Sequence, residues 1–377
     1  MKIGIDARCL SEKFYSGISQ YTYNLVKSLL EIDQKNQYFL FYNSAKSSKV
    51  PTFNFKNVET KEFKYPNKLF NLGMKFFKIT KVDQLIGGVD LFIMPNFLFI
   101  NLSKNCKKII IVHDLSFEIF PQFFTFKKRL WHWLINPKRM CQQADTVIAI
   151  SQSTKNDLVD LYQIDEQKIK IINPGIEANF FATISDQQLQ TVKDKYNLPD
   201  KFILYLGNLE PRKNITTLLR AFDQIQDQQI NLVLAGSQAW KYKEIYRLRE
   251  KLASQKRIKF LGYVEEQDKA SLYRLASIFV YPSVYEGFGL PPLEAMACGT
   301  TTICSFASSL PEAVGSASLL VDPNNVNDLS FAIDNLLTDQ ALYADLKVKS
   351  VEQAKKFDWQ IKAQEILKQI ETFSPKS

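Results

Sequence analysis

The stretch Tyr281–Pro311, YPSVYEGFGLPPLEAMACGTTTICSFASSLP, constrains this chain most. It opens on Ile278, Phe279 and Val280, a short apolar run that predicts a buried strand over Ser277–Tyr281. A loop follows with Glu286, Gly287, Phe288 and Gly289, then Leu290 and the pair Pro291–Pro292. Proline suits the first turn of a helix, where a missing N–H costs little. The spacing therefore predicts a helix through Leu293–Ala297 that ends at Cys298-Gly299. Strand, glycine loop and helix N-terminus make a geometry whose backbone N–H groups can hold an anion. Two carboxylates flank it, Glu286 in the loop and Glu294 on the helix. Carboxylates accept hydrogen bonds from hydroxyls and repel phosphate, so the pattern fits a polyol attached to a phosphate.

The same shape recurs along the chain. Met1–Ala7 reads as a first strand, Gly17–Tyr21 as a loop and Tyr21–Leu30 as an amphipathic helix. Tyr38–Tyr42, Asp90–Met94, Lys107–Val112, Thr146–Ile150 and Lys168–Ile172 read as further strands, and Asn173-Pro174-Gly175 is strong punctuation. Phe202–Leu206, Ile230–Ala235 and Ile258–Leu261 begin a second series. With 377 residues the chain is too long for one typical domain and comfortable for two. The expected division is 1–175 with a returning C-terminal segment 358–377, and 181–357, with the linker at 173–183. In Phe357–Phe373 the residues Trp359, Ile361, Ala363, Ile366, Leu367 and Ile370 are taken as one apolar helix face.

Two further positions carry chemistry. His113 follows the strand Lys107–Val112, at the C-terminal strand end where α/β folds build their sites; a histidine satisfied by a nearby carbonyl is the alternative. After Phe202–Leu206 comes Gly207-Asn-Leu-Glu-Pro-Arg212-Lys213-Asn214 and then a helix. Arg212 and Lys213 near a helix N-terminus can neutralise a diphosphate without a metal. The phosphate-binding pattern Gly-x4-Gly-Lys-Ser/Thr does not occur, nor does Asp-x-Asp.

EGFGLPPLEAMACGT, with Ser309-Leu-Pro-Glu312 after it and GNLEPRKN before it, resembles the motifs of retaining glycosyltransferases of family 4. The resemblance covers essentially the whole chain, most tightly after residue 200. It implies an α/β protein of the GT-B fold: two doubly wound Rossmann-like domains facing a central cleft, with a C-terminal helix crossing back to the first. The second domain would bind a nucleotide-diphosphate sugar and the first a glycan or lipid-linked acceptor. By the family pattern Arg212, Lys213, Glu286 and His113 would serve catalysis. Gly17, Gly207, Arg212, Lys213, Gly262, Tyr263, Val264, Glu286, Gly287, Phe288, Gly289, Leu290 and Glu294 would line the donor. Gly262-Tyr263-Val264 would face the nucleobase, Glu294 the ribose and Glu286 the sugar. No metal or other cofactor is expected. The stretch His113-Asp-Leu-Ser-Phe117 is most similar to bacterial mannosyltransferases of surface polysaccharide assembly. Family 4 further implies a front-face, retaining reaction. A nucleotide-sugar epimerase on the same fold is the alternative enzyme, against which the Glu-x7-Glu and Arg-Lys pairs speak. A non-enzymatic basic module would not need those four residues together.

Charge adds a partner. The net +9 lies wholly in residues 1–180, with 25 Lys and Arg against 16 Asp and Glu; residues 181–377 hold 23 of each. Such a half fits an anionic membrane surface, a nucleic acid or an anionic substrate, or is a plain solvated lysine surface. Tyr65–Lys81 and Phe117–Met140 mix aromatics with bases, which suits a membrane interface, though for the first an ordinary amphipathic helix packed on the sheet is placed ahead of it. Leu130, Trp133 and Leu134 fall at i, i+3, i+4, however, so core packing is placed first for the second segment, membrane contact second and nucleic acid a distant third. Five scattered cysteines without Cys-x-x-Cys predict reduced thiols in a cytosolic protein, peripheral to the inner membrane face if that contact is made.

Overall fold

The structure, a computed structural model, describes residues 1–11, 17–45, 50–74 and 80–374. It divides into two compact units, one of Met1–Leu115, Phe126–Gly175 and Trp359–Ser377, the other of Ser116–Thr125 and Ile176–Asp358.

The first unit is built on a seven-stranded sheet: β1 Lys2–Asp6, β2 Gln37–Asn43, β3 Val58–Phe63, β4 Leu91–Met94, β5 Lys107–Val112, β6 Thr146–Ala149 and β7 Ile169–Ile171. The order is β3-β2-β1-β4-β5-β6-β7 and every pairing is parallel. A parallel sheet buries both faces, which explains the unbroken apolar runs FLFY, LFIM and IIIV that fill its centre. The strand β3 was not visible in the sequence. Its VETKEF is charged because it is an edge strand, protected from pairing further by those charges.

The second unit repeats the plan with six parallel strands: β8 Phe202–Leu206, β9 Asn231–Ala235, β10 Ile258–Gly262, β11 Ile278–Tyr281, β12 Thr302–Ser305 and β13 Ser318–Val321. Their order is β10-β9-β8-β11-β12-β13. In both sheets the order reverses beside the first strand, between β1 and β4 and between β8 and β11. The loops at the carboxyl ends of these strands diverge there, leaving the crevice where such sheets bind ligands.

The C-terminal helix Trp359–Glu371 packs in the first unit against the helix Gly17–Ile32. Its buried face is Trp359, Lys362, Ala363, Ile366 and Ile370, spaced to one side of a helix. Burying Ile366 and Ile370 completely favours this docking by roughly 2 kcal/mol each. Ile361, expected on that face, is exposed, and Lys362 takes the buried place by pairing with Glu365 at 3.0 Å.

Two other expectations change. The segment Ser116–Thr125 belongs to the second unit, although the chain runs through the first on either side of it. There the Trp240 indole N–H donates to the Phe123 carbonyl, Lys241 Nζ donates to the Gln122 carbonyl at 2.7 Å, and Phe120 packs edge-on against Tyr285. In the helix Phe126–Ile135 the spacing of Leu130 and Trp133 does not mark a core face: Phe126 is 78% exposed, Leu130 44% and Trp133 74%, while Ile135 is buried. Periodicity finds the helix but not the side that meets the sheet. Within Tyr65–Lys81 the helix Asn67–Leu72 leaves Leu69 and Leu72 exposed, and residues 75–79 lie outside the described residues.

Candidate active site

Two loops meet at the β8/β11 crevice and are stapled to each other. The first runs from Gly207, whose N–H donates to the Ala235 carbonyl, to Asn214, which starts the helix Ile215–Gln224 in a left-handed conformation. The second runs from Pro282 to Gly289. The Val284 N–H donates to the Arg212 carbonyl at 3.0 Å, Arg212 Nη1 donates to the Tyr285 carbonyl at 2.6 Å, and Asn214 Nδ2 donates to the Pro282 carbonyl at 3.1 Å. A third loop, after β12, clamps the Glu286 backbone: Ser308 Oγ accepts its N–H at 2.7 Å and Ser309 Oγ donates to its carbonyl at 2.8 Å.

These staples bring four charges together. Glu286 Oε2 lies 2.9 Å from Arg212 Nη1, and Glu286 Oε1 accepts from Lys213 Nζ at 2.6 Å. Arg212 also meets the buried Glu210, at 2.9 Å through Nη2. Lys213 donates to the Tyr281 hydroxyl and lies over that ring. Burial pushes the Glu286 carboxyl up, but the adjacent Arg212 and Lys213 outweigh it and hold it at about 2. Burial pulls the Lys213 ammonium below the ordinary lysine value, with Glu286 opposing. The cluster pairs two basic with two acidic side chains. Glu210 lies within GNLEPRKN, and only the fold shows that it faces Arg212. Tyr281 read simply as the end of a strand.

Gly289 is the N-cap of the helix Leu290–Ala297, which starts three residues before the expected Leu293 and takes Pro291 and Pro292 into its first turn. Its φ is 112°, and a Cβ there would lie 2.6 Å from Leu310, so only glycine fits. Gly287 and Phe288 precede it, both buried, with Phe288 packed edge-on against Phe357. Glu294, one turn along, accepts from the Tyr273 hydroxyl at 2.8 Å. Burial raises its carboxyl above the ordinary range against the pull of Lys269. Neither Tyr273 nor Lys269 carried a signal in the sequence. Gly262 ends β10, its carbonyl accepting from the Gly236 N–H at 2.7 Å; Tyr263 beside it is half exposed and Val264 buried.

In the first unit His113 stands just past β5, beside the β1/β4 crevice. One ring nitrogen, Nε2, is 2.8 Å from the Pro95 carbonyl. A carbonyl only accepts, so Nε2 carries the proton. Burial lowers the imidazole's proton affinity, opposed by the Pro95 bond and by Asp114; in the neutral ring with Nε2 protonated, Nδ1 is an acceptor. The alternative of a carbonyl-satisfied histidine therefore holds for one nitrogen alone. Gly17, expected in a loop, is the first residue of the helix Gly17–Ile32. A Cβ there would meet nothing within 4 Å, and residues 12–16 before it lie outside the described residues.

Residues 186–357 match the family Glycosyl transferases group 1, and residues 15–180 match Glycosyltransferase Family 4. The chain belongs to glycosyltransferase family 4. It is 35% identical over 259 residues to the serotype-specific mannosyltransferase WbdA of Escherichia coli, which covers 67% of this chain and 32% of WbdA. The chain therefore spans about a third of that relative's length. It is 29% identical over 366 residues to the O-antigen chain mannosyltransferase B of Escherichia coli, 92% of this chain and 93% of that one. Among solved structures, Anabaena Alr3699/HepE in complex with UDP and glucose superposes with a TM-score of 0.76 at 21% identity, over 99% of this chain and 100% of that one. The fold is GT-B, with its two parallel Rossmann-like sheets and a C-terminal helix against the first helix of the first domain.

Proposed function

We propose that the chain is a retaining glycosyltransferase that moves a hexosyl group, by preference mannosyl, from a nucleotide-diphosphate sugar to a glycan or lipid-linked acceptor without a metal. The observation that carries this is the Arg212–Lys213–Glu286–Glu210 cluster at the β8/β11 crevice. The names of the two mannosyltransferase relatives support the choice of sugar.

Cleavage at the anomeric carbon leaves a nucleoside diphosphate whose charge grows as the bond breaks. Two fixed cations and the start of the helix Leu290–Ala297 stand where that charge can be stabilised. Glu286 holds both cations, one on each oxygen, and its carboxylate is the group that accepts a sugar hydroxyl. Glu294 accepts the ribose hydroxyls beside Tyr273. His113 offers Nδ1 as an acceptor to a substrate hydroxyl. The leaving phosphate takes the acceptor's proton as the new glycosidic bond forms on the same face, which retains configuration.

The exposed Phe126, Leu130 and Trp133 lie on one side of their helix, at i, i+4 and i+7, with Lys127, Lys128 and Arg129 between them. That face, in the half of the chain with the +9 charge, is suited to an anionic leaflet where a lipid-linked acceptor resides. No helix among the described residues is long and apolar enough to cross a membrane. The donor assignment is tested by thermal stabilisation with a panel of UDP-, GDP- and ADP-sugars in chelator. One of them should raise the melting temperature of the wild type and not that of an Arg212→Ala/Lys213→Ala double variant. Equal stabilisation of both would remove the cluster from donor binding.

A further inference from the structure

His113 is held by more than Pro95. The Tyr21 ring, buried in the helix Gly17–Ile32, stands edge-on to the imidazole, centroids 4.8 Å apart at 89°. Tyr21 in turn packs against Trp359, the first residue of the C-terminal helix, at 5.2 Å and 65°. Trp359 is fixed from behind by Gly175, where a Cβ would lie 2.5–2.6 Å from the tryptophan. Gly175 is the last residue of the first unit before the chain leaves it, and Trp359 is the first after the chain returns. The hydroxyl of Tyr21 is buried without a hydrogen-bond partner, so the ring and not the hydroxyl is what the site uses.

We propose that Tyr21 and Trp359 are positioning residues that wedge the His113 ring against the Pro95 carbonyl, fixing Nδ1 as the nitrogen presented to substrate. This rests on the proposed role of His113 toward a substrate hydroxyl. The edge-to-face contact blocks rotation of the imidazole about its Cβ–Cγ bond. Without it the ring can turn away from Pro95, and either nitrogen can then carry the proton. The C-terminal helix thus sets the geometry of a residue some 250 positions earlier in the chain.

The chain has two histidines, His113 and His132, so nitrogen NMR of the full protein labelled at histidine reads the site directly, with His132→Gln giving the assignment. In the wild type His113 should show one sharp tautomer protonated at Nε2. In Tyr21→Leu and Trp359→Leu its two nitrogen shifts should converge toward a tautomeric average, with transfer falling at least tenfold and calorimetric affinity for the bare nucleoside diphosphate within twofold of wild type. Tyr21→Phe should restore the single tautomer and the rate. Tyr21→Met, which refills the volume, serves if the leucine variant does not fold. A folded Tyr21→Leu or Tyr21→Met with the wild-type His113 tautomer overturns the proposal, as does a Tyr21→Phe that behaves like Tyr21→Leu. His113→Ala separates the two levels: if it transfers at the wild-type rate, the role of His113 is wrong, whereas the NMR result still decides whether Tyr21 orients it.

Discussion

Glu286→Gln removes one charge and almost no volume, and its consequences are large because Arg212 and Lys213 both depend on it. The carboxyl is held at about 2 against an ordinary value near 4.5. That difference corresponds to about 3 kcal/mol in favour of the folded state at neutral pH. Removing one partner of a buried pair costs about 3–5 kcal/mol by general experience, a consistent figure. In a unit of this size the melting temperature should fall by roughly 6–12 °C at pH 7. The sign of the pH dependence is fixed: a depressed carboxyl contributes its full stability above the unfolded value and loses it as pH falls through the folded one. The gap between wild type and Glu286→Gln should therefore be constant above about pH 5 and shrink between about 4.5 and 2. Urea unfolding of both proteins across that range measures it. A melting temperature within 1 °C of wild type at pH 7, or a gap that widens on acidification, would refute the view that Glu286 anchors the two cations.

Arg212→Ala and Lys213→Ala should each lower turnover by about a hundredfold, from the loss of one charge-assisted contact of ~3 kcal/mol in the transition state; steady-state kinetics with a few-fold loss in the double variant would sink that role. Calorimetry with the bare nucleoside diphosphate should show Glu294→Ala weakening it more than Glu286→Ala does, and the reverse order would exchange the two roles. Lys127, Lys128 and Arg129 changed together to Ser, or Trp133→Ser, should weaken salt-sensitive co-sedimentation with anionic vesicles and leave donor affinity unchanged. Wild type that stays in the supernatant with anionic vesicles at low salt reduces the basic half to a solvated surface.

The sheets were legible where strands are buried on both faces. FILYL, IIIV and LFIM are unbroken apolar runs, and the structure has β8, β5 and β4 there. The strand VETKEF was not, because an edge strand hides its pattern under charge. The loops around Arg212 and Glu286 were legible because glycine, proline and paired charges carry local meaning. What they do to each other was not. Nothing local says that Glu286 lies 2.9 Å from an arginine 74 residues earlier, or that Glu210 faces the same guanidinium. That juxtaposition comes from β8 and β11 being neighbours in the sheet. Spacing likewise misjudged Leu130 and Trp133, since a helix with apolar groups on several sides gives no indication of which side meets the core.

The most direct test of metal-independent, retaining transfer is NMR of the product formed from a nucleotide-diphosphate mannose and a short mannose-terminated glycan in excess EDTA. The account predicts steady transfer in chelator, with the new linkage carrying the anomeric configuration of the donor. A product of inverted configuration, or transfer that appears only when a divalent cation is restored, would contradict it.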